Sequence, residues 1–222
     1  MFKNLLIPRN IRQTLNSSVK ENKLSHAYLF YGKDEKIIAD TAYEFARSIL
    51  CKSEQKSCGN CSSCKKANEG THPDIINIYP ENYGKAKNEK NKDKKEAQSI
   101  TIKQIREELL DTVCLFPHES DRKIYIIHAA DKMQKPAQNS MLKILEDPGK
   151  YVIIIMLAAT KAAFYPTVLS RCQIFAFGER AIDGRITDTV FSALESNADN
   201  DYEHLFAAPD GAPNVELVDG SG

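Results

Sequence analysis

Val152-Ile153-Ile154-Ile155-Met156-Leu157 is an apolar run with no polar residue alternating through it. A strand with one wet face alternates apolar and polar residues. An unbroken run is expected where helices cover both faces of a parallel sheet. Working outward from Tyr151–Leu157, four more short runs read as strands: His26–Tyr31, Asp74–Tyr79, Lys123–His128 and Gln173–Phe177.

Helical spacing fills the intervals. Ile37, Ile38, Thr41, Ala42, Phe45, Ile49 and Leu50 recur at three- and four-residue steps, as do Ile102, Ile105, Leu109 and Val113. Thr101 and Gln104 form a capping-box pattern. Pro136 suits the first turn of a helix that carries Met141, Leu142 and Leu145 and stops before Pro148-Gly149. Strands alternating with helices predict an α/β domain: a parallel five-stranded sheet with helices on both faces.

The formal net charge of zero hides an asymmetry. From Gly178 onward there are 10 acidic residues and two arginines, leaving 28 basic and 20 acidic residues in the rest. A moderately basic body is compatible with work near nucleic acid, and equally with solvated helix faces. Residues 81–99 hold six lysines and four acids with almost no apolar residue, which predicts a charged loop. No apolar run is long enough to span a bilayer and Met1–Pro8 lacks a secretory pattern, so no membrane partner and a cytoplasmic location are expected.

Four of the six cysteines are clustered as Cys51, Cys58, Cys61 and Cys64. Paired Cys-x2-Cys spacing lets thiolates converge on one tetrahedral ion, and four protein ligands close its shell, so a structural zinc module over 51–72 is expected. An iron–sulfur cluster or four unligated thiols are the alternatives. Cys114 and Cys172 read as half-buried free thiols.

Several stretches, taken in order, resemble the clamp-loader AAA+ family, most closely its bacterial DNA polymerase III delta-prime branch. They are Leu24-Ser25-His26-Ala27-Tyr28-Leu29-Phe30, the four cysteines, Thr71-His72-Pro73-Asp74, Ala130-Asp131-Lys132-Met133, Asn139-Ser140-Met141-Leu142-Lys143-Ile144-Leu145-Glu146 and Pro166-Thr167-Val168-Leu169-Ser170-Arg171-Cys172. The resemblance covers about residues 1–177 and implies an AAA+ (RecA-like) domain there. It also implies a helical lid and a collar, and the 45 residues from Gly178 to Gly222 are too few for both. A lid remnant over 178–206 and a disordered tail over 207–222 are expected. Either the chain is truncated or divergent, or assembly is mediated differently.

Motor subunits of this family carry a Gly-x4-Gly-Lys-Thr phosphate loop. Here the segment runs Gly32-Lys33-Asp34-Glu35-Lys36-Ile37-Ile38-Ala39, so Ile38 falls where the lysine belongs and Ala39 where the magnesium-binding hydroxyl belongs. At the second acidic motif, His128 and Ala129 replace the carboxylates that organise magnesium and polarise water. His128 reads as a packed strand-end residue. After the fourth strand, Ala158-Ala159-Thr160 lacks a clear polar sensor of the γ-phosphate.

The resemblance therefore implies a subunit without ATP in its own site, with Arg171 as an arginine finger acting in trans and Ser170 and Cys172 positioning it. The implied partners are the gamma/tau motor subunits, the delta subunit, the sliding clamp and primed DNA. An active ATPase using Lys36, and a zinc-dependent nucleic-acid adaptor built on the cysteines and the 81–99 loop, are the competing readings.

Overall fold

The computed structural model describes Phe2, residues 5–81, Tyr83 and residues 99–178. Most of the charged loop expected over 81–99, and all but the first residue of the 178–206 and 207–222 segments, lie outside the described residues.

Helix α1 (Arg9–Lys20) precedes strand β1 (Ala27–Gly32), helix α2 (Glu35–Leu50), helix α3 (Ser62–Asn68) and strand β2 (Ile75–Ile78). A helical stretch follows in three parts, α4 (Ile102–Gln104), a π-helical segment (Ile105–Leu110) and α5 (Asp111–Val113). Then come β3 (Lys123–Ile127), α6 (Lys135–Glu146), β4 (Val152–Ala158), α7 (Pro166–Leu169) and β5 (Gln173–Phe177). The five strands form one sheet in the order β2-β3-β4-β1-β5, and every pair is parallel.

Strand β4 is buried along its whole length, as the unbroken apolar run requires. Its Ile153, Ile155 and Leu157 face one core layer, with Phe45 of α2 and Leu15 of α1, while Val152, Ile154 and Met156 face the other, with Ile105, Leu109 and Met141. The sheet is thus the middle layer of three.

The Thr101–Gln104 capping box forms as the spacing predicts, with the Thr101 hydroxyl accepting from the Gln104 amide at 3.3 Å and Gln104 Oε1 accepting from the Thr101 amide at 3.2 Å. Helix α1 is legible in hindsight from Ile11, Leu15 and Val19, all buried at four-residue spacing. Cys114 is exposed rather than half-buried, because it leaves α5 in the turn that leads to exposed Leu115 and Phe116. Cys172 is half-buried as expected, and burial pushes its thiol up to about 12.

Candidate functional site

The cysteine module begins where α2 ends. Cys51 follows its last residue, and the chain turns through Ser57 and Gly59, both at positive φ, before entering α3. Cys61 caps α3 through its sulfur, which accepts from the Cys64 amide at 3.4 Å. The amides of Cys58 and Cys61 donate in the same way to Cys51 and Cys58, at 3.5 and 3.4 Å.

The four Sγ atoms lie within 4.8 Å of one another, with Cys51–Cys61 at 3.9 Å and Cys58–Cys64 at 4.0 Å. Sulfurs around a tetrahedral ion at ~2.3 Å stand about 3.8 Å apart. The donor set and its spacing therefore fit zinc. Burial pushes the Cys61 thiol up, but the Cys64 and Lys52 amides and the neighbouring sulfurs outweigh it and bring it down to about 6. Amide donors from Cys61 and Asn60 likewise favour the Cys58 thiolate. Burial holds the Cys64 thiol up, and the Gly59 amide offsets this only in part.

Two braces join the module to the sheet. The buried His72 ring meets the Ser63 hydroxyl at 2.8 Å through Nε2, while its Nδ1 accepts from the Asp74 amide at 3.1 Å. An Nδ1 that accepts fixes the proton on Nε2, so His72 donates to Ser63 and cannot serve it as a base. Asp74, fully buried, accepts from the amides of His118, Glu119 and Ser120 at 2.6, 2.9 and 2.9 Å. Desolvation opposes these three bonds, yet together they hold its carboxyl below the usual range. On the other side Arg47 of α2 donates to Ser57 and Asn68.

The C-terminal edge of the sheet is where an α/β fold of this kind places ligands. Only Lys33 and Asp34 separate β1 from α2, and the Asp34 carboxylate accepts from the Ile37 amide at 3.0 Å. The helix N-terminus that could take a phosphate carries this chain's own anion. Ile38 is 1% exposed and packs into the core. A Cβ on Gly32 would come 2.2 Å from the Phe177 carbonyl oxygen, so Gly32 is demanded by the approach of β5.

The cavity here is about 60 Å³, lined by Glu35, Ala39, His128, Ala129, Asp131 and Ala159 among others. Small-molecule sites are typically ~300–1,000 Å³. His128 Nε2 lies 3.1 Å from Asn77 Oδ1 and its ring stacks on Tyr79 at 4.2 Å, with desolvation lowering its pKa to about 4. Asp131 accepts from the Ala159 amide at 3.1 Å, which ties the end of β3 to the end of β4.

Arg171 stands apart from both features, in the turn between α7 and β5. Its Nη1 donates to the Thr167 carbonyl at 2.8 Å and lies 3.4 Å from Ser170 Oγ, and its Nη2 donates to Glu146 Oε1 at 2.8 Å. Ser170 Oγ donates to the Thr167 carbonyl at 3.1 Å and Cys172 Sγ to that of Val168 at 3.1 Å. The structure thus assembles the four cysteines into one centre, gathers Ala39, His128 and Ala129 at the sheet edge, and leaves Arg171 at a separate surface. His72, Asp74 and Glu146 were not singled out as functional residues by sequence reasoning; Thr71-His72-Pro73-Asp74 was the nearest signal to the first two.

The family described as DNA polymerase III, delta subunit, matches residues 7–181. A DNA polymerase III subunit delta' of Bacillus subtilis is 33% identical over 189 residues, 83% of this chain and 52% of that protein. The tau subunit of the same organism is 29% identical over 216 residues, 95% of this chain and 35% of that protein. The chain therefore spans about half the length of the first relative and about a third of the second. Among solved structures, a DNA polymerase III gamma subunit-related protein from Thermotoga maritima matches with a TM-score of 0.52 at 18% identity, over 86% of this chain and 64% of that one. That likeness speaks to the fold.

Proposed function

This chain belongs to the DNA polymerase III delta-subunit family, and from that premise we propose that it is a delta-prime-like clamp-loader subunit that binds no ATP in its own site and donates Arg171 in trans to a neighbour. Its partners on this reading are the gamma/tau motor subunits and the delta subunit. The assembly acts on the sliding clamp and primed DNA.

The observation that carries the reading is the closed β1–α2 junction. A phosphate loop needs several bare amides between strand and helix. Two residues stand there, and the Asp34 carboxylate already occupies the first turn. The small cavity, the buried Ile38 and a His128 engaged by Asn77 and Tyr79 support the same reading. Lys36, the candidate substitute for a phosphate-loop lysine, is exposed within α2.

Arg171 supplies what the chain contributes to a neighbour's chemistry. A guanidinium stays charged and presents a planar fork to phosphoryl oxygens, so it can stabilise the charge that builds up in transfer. Ser170 and Cys172 tie off carbonyls of the α7 turn and so set the backbone from which Arg171 projects. Zinc, held by Cys51, Cys58, Cys61 and Cys64, supplies a fold constraint rather than a reaction centre, because four thiolates leave no open position.

Titrating the isolated chain with ATP and magnesium tests the first half, and submillimolar binding would sink it. Reconstituting the chain with its motor subunits tests the second. Arg171→Ala is expected to abolish most clamp- and DNA-stimulated ATP turnover, and an unchanged rate would remove the trans role.

A further inference from the structure

Glu146 is the last residue of α6, and it sits there against the preference of its own helix. The final turn exposes carbonyls and the negative pole of the helix, where a carboxylate is disfavoured and a cation preferred. Glu146 fills no part of the core, its side chain being 56% exposed, and Asp147 adds a second acid directly after it. Among the described residues its polar partner is Arg171, at 2.8 Å. A residue that breaks a local rule in order to meet one functional side chain is where a functional role is expected.

The geometry points to Glu146 as a positioning residue for Arg171. This rests on the reading of Arg171 as a trans-acting arginine and extends it. The guanidinium is held from two elements at once: Thr167 and Ser170 grip Nη1 from the α7 turn, and Glu146 grips Nη2 from α6. Helix α6 is itself anchored by buried Met141, Ile144 and Leu145. Without Glu146, only contacts within Arg171's own turn remain to orient a long, rotamer-rich side chain.

The pair also leaves the guanidinium free to act. The Arg171 side chain is 33% exposed and solvent reaches both partners, so the net strength of the ion pair is small. A guanidinium carries five N–H donors and Glu146 engages Nη2 through a single oxygen, so the remaining donors can meet phosphate oxygens of a neighbour's nucleotide while the pair is kept. Glu146 therefore holds the arginine's orientation into the engaged state, where it counts toward the rate.

Steady-state ATP turnover of the reconstituted complex, measured with Glu146→Ala, Glu146→Gln, Arg171→Ala and the Glu146→Ala/Arg171→Ala double variant, tests this. Glu146→Ala is expected to lower kcat by roughly two- to fivefold, the scale of an exposed ion pair, with KM for ATP unchanged. Glu146→Gln, which keeps an acceptor oxygen without the charge, is expected to fall between Glu146→Ala and wild type. In the Arg171→Ala background Glu146→Ala adds nothing, because it acts through the arginine.

An equal further loss in that background overturns the positioning role, as does unchanged or faster turnover in Glu146→Ala alone. If Arg171→Ala is itself silent, the trans reading falls and the inference with it. A strong Arg171→Ala effect beside a silent Glu146 sinks the inference alone. Thermal melts identify any loss of fold in Glu146→Ala, in which case Glu146→Gln carries the comparison.

Discussion

The carboxylate of Asp34 and the amide of Ile37 stand 3.0 Å apart, closing the first turn of α2 at the place where a phosphate loop would present bare amides. Removing this cap leaves an amide without its partner. Asp34→Ala is expected to cost about 1 kcal/mol, a fall of roughly 2–4 °C in Tm, without creating ATP binding. Differential scanning calorimetry with and without ATP reads both outcomes. A large ATP-dependent rise in Tm would show that the cap alone was blocking a competent site.

Gly32 looks from sequence like the first glycine of a phosphate loop, yet its surroundings give it a packing role. The missing side chain makes room for the Phe177 backbone, since a Cβ would stand 2.2 Å from that carbonyl oxygen. Gly32→Ala must push β5 away from β1 or bend both, and a cost of about 3 kcal/mol is expected from overpacking. Urea denaturation should show the midpoint falling steeply. A midpoint within error of wild type would mean that the β1–β5 edge is looser than this contact implies.

Gly32 also marks the limit of what the residues disclosed before any fold was known. Strands β1, β3 and β4 were legible because strands covered on both faces carry unbroken apolar runs, and β2 and β5 as shorter apolar runs although Ile174 of β5 is exposed. The four cysteines were legible because they fall within fourteen residues, a spacing that lets their sulfurs converge on one ion. The capping box at Thr101 was legible because both partners lie within one turn. The partners of Gly32, Asp131 and Arg171 are not local: Phe177, Ala159 and Glu146 lie far along the chain and meet them only once the parallel crossovers have formed. No periodicity encodes such pairs. Cys114, expected to be half-buried, is exposed where the chain leaves α5 beside exposed Leu115 and Phe116, a placement set by the turn and not by any spacing in the sequence.

His128 predicts an acid-side loss of stability. Desolvation lowers its pKa from 6.5 to about 4, so the folded state holds it neutral where the unfolded chain would take up a proton. Its contribution is complete above pH 6.5 and is lost as pH falls from there toward 4, amounting to at most ~3 kcal/mol. His128→Asn removes the titrating group. Its unfolding free energy, followed from pH 7.5 to 4.5, should decline less than that of wild type, and parallel curves would show that His128 is not the group responsible.

Metal removal should act locally. Cys51 follows the end of α2, Cys58 lies in the turn after it, and Cys61 and Cys64 stand at the start of α3, while both core layers are built from residues outside 51–72. Chelation is expected to open cleavage sites within residues 51–72 and to leave most of the far-UV circular dichroism intact. Cys64→Ser, which removes a buried ligand, should reproduce the cleavage pattern without chelator and lower bound zinc below one per chain. Global unfolding on chelation would instead make the His72–Ser63 brace part of the fold's main support.

Arg171→Lys separates charge from shape at the proposed trans residue. Lysine retains the positive charge but presents a compact point charge in place of a planar fork, so it cannot hold Thr167 and Glu146 through separate, fixed nitrogens. The exposed ion pair contributes ~0–1 kcal/mol, so the Tm of the variant should stay within a few degrees of wild type. Turnover in the reconstituted complex should behave differently. Arginine fingers supply about 10³–10⁵ in rate where they act on phosphoryl transfer, and a lysine with the wrong geometry is expected to forfeit at least a tenfold share of that. If Arg171→Lys turns over ATP at the wild-type rate, the requirement is for charge alone, and the two-element grip on the guanidinium has no catalytic consequence.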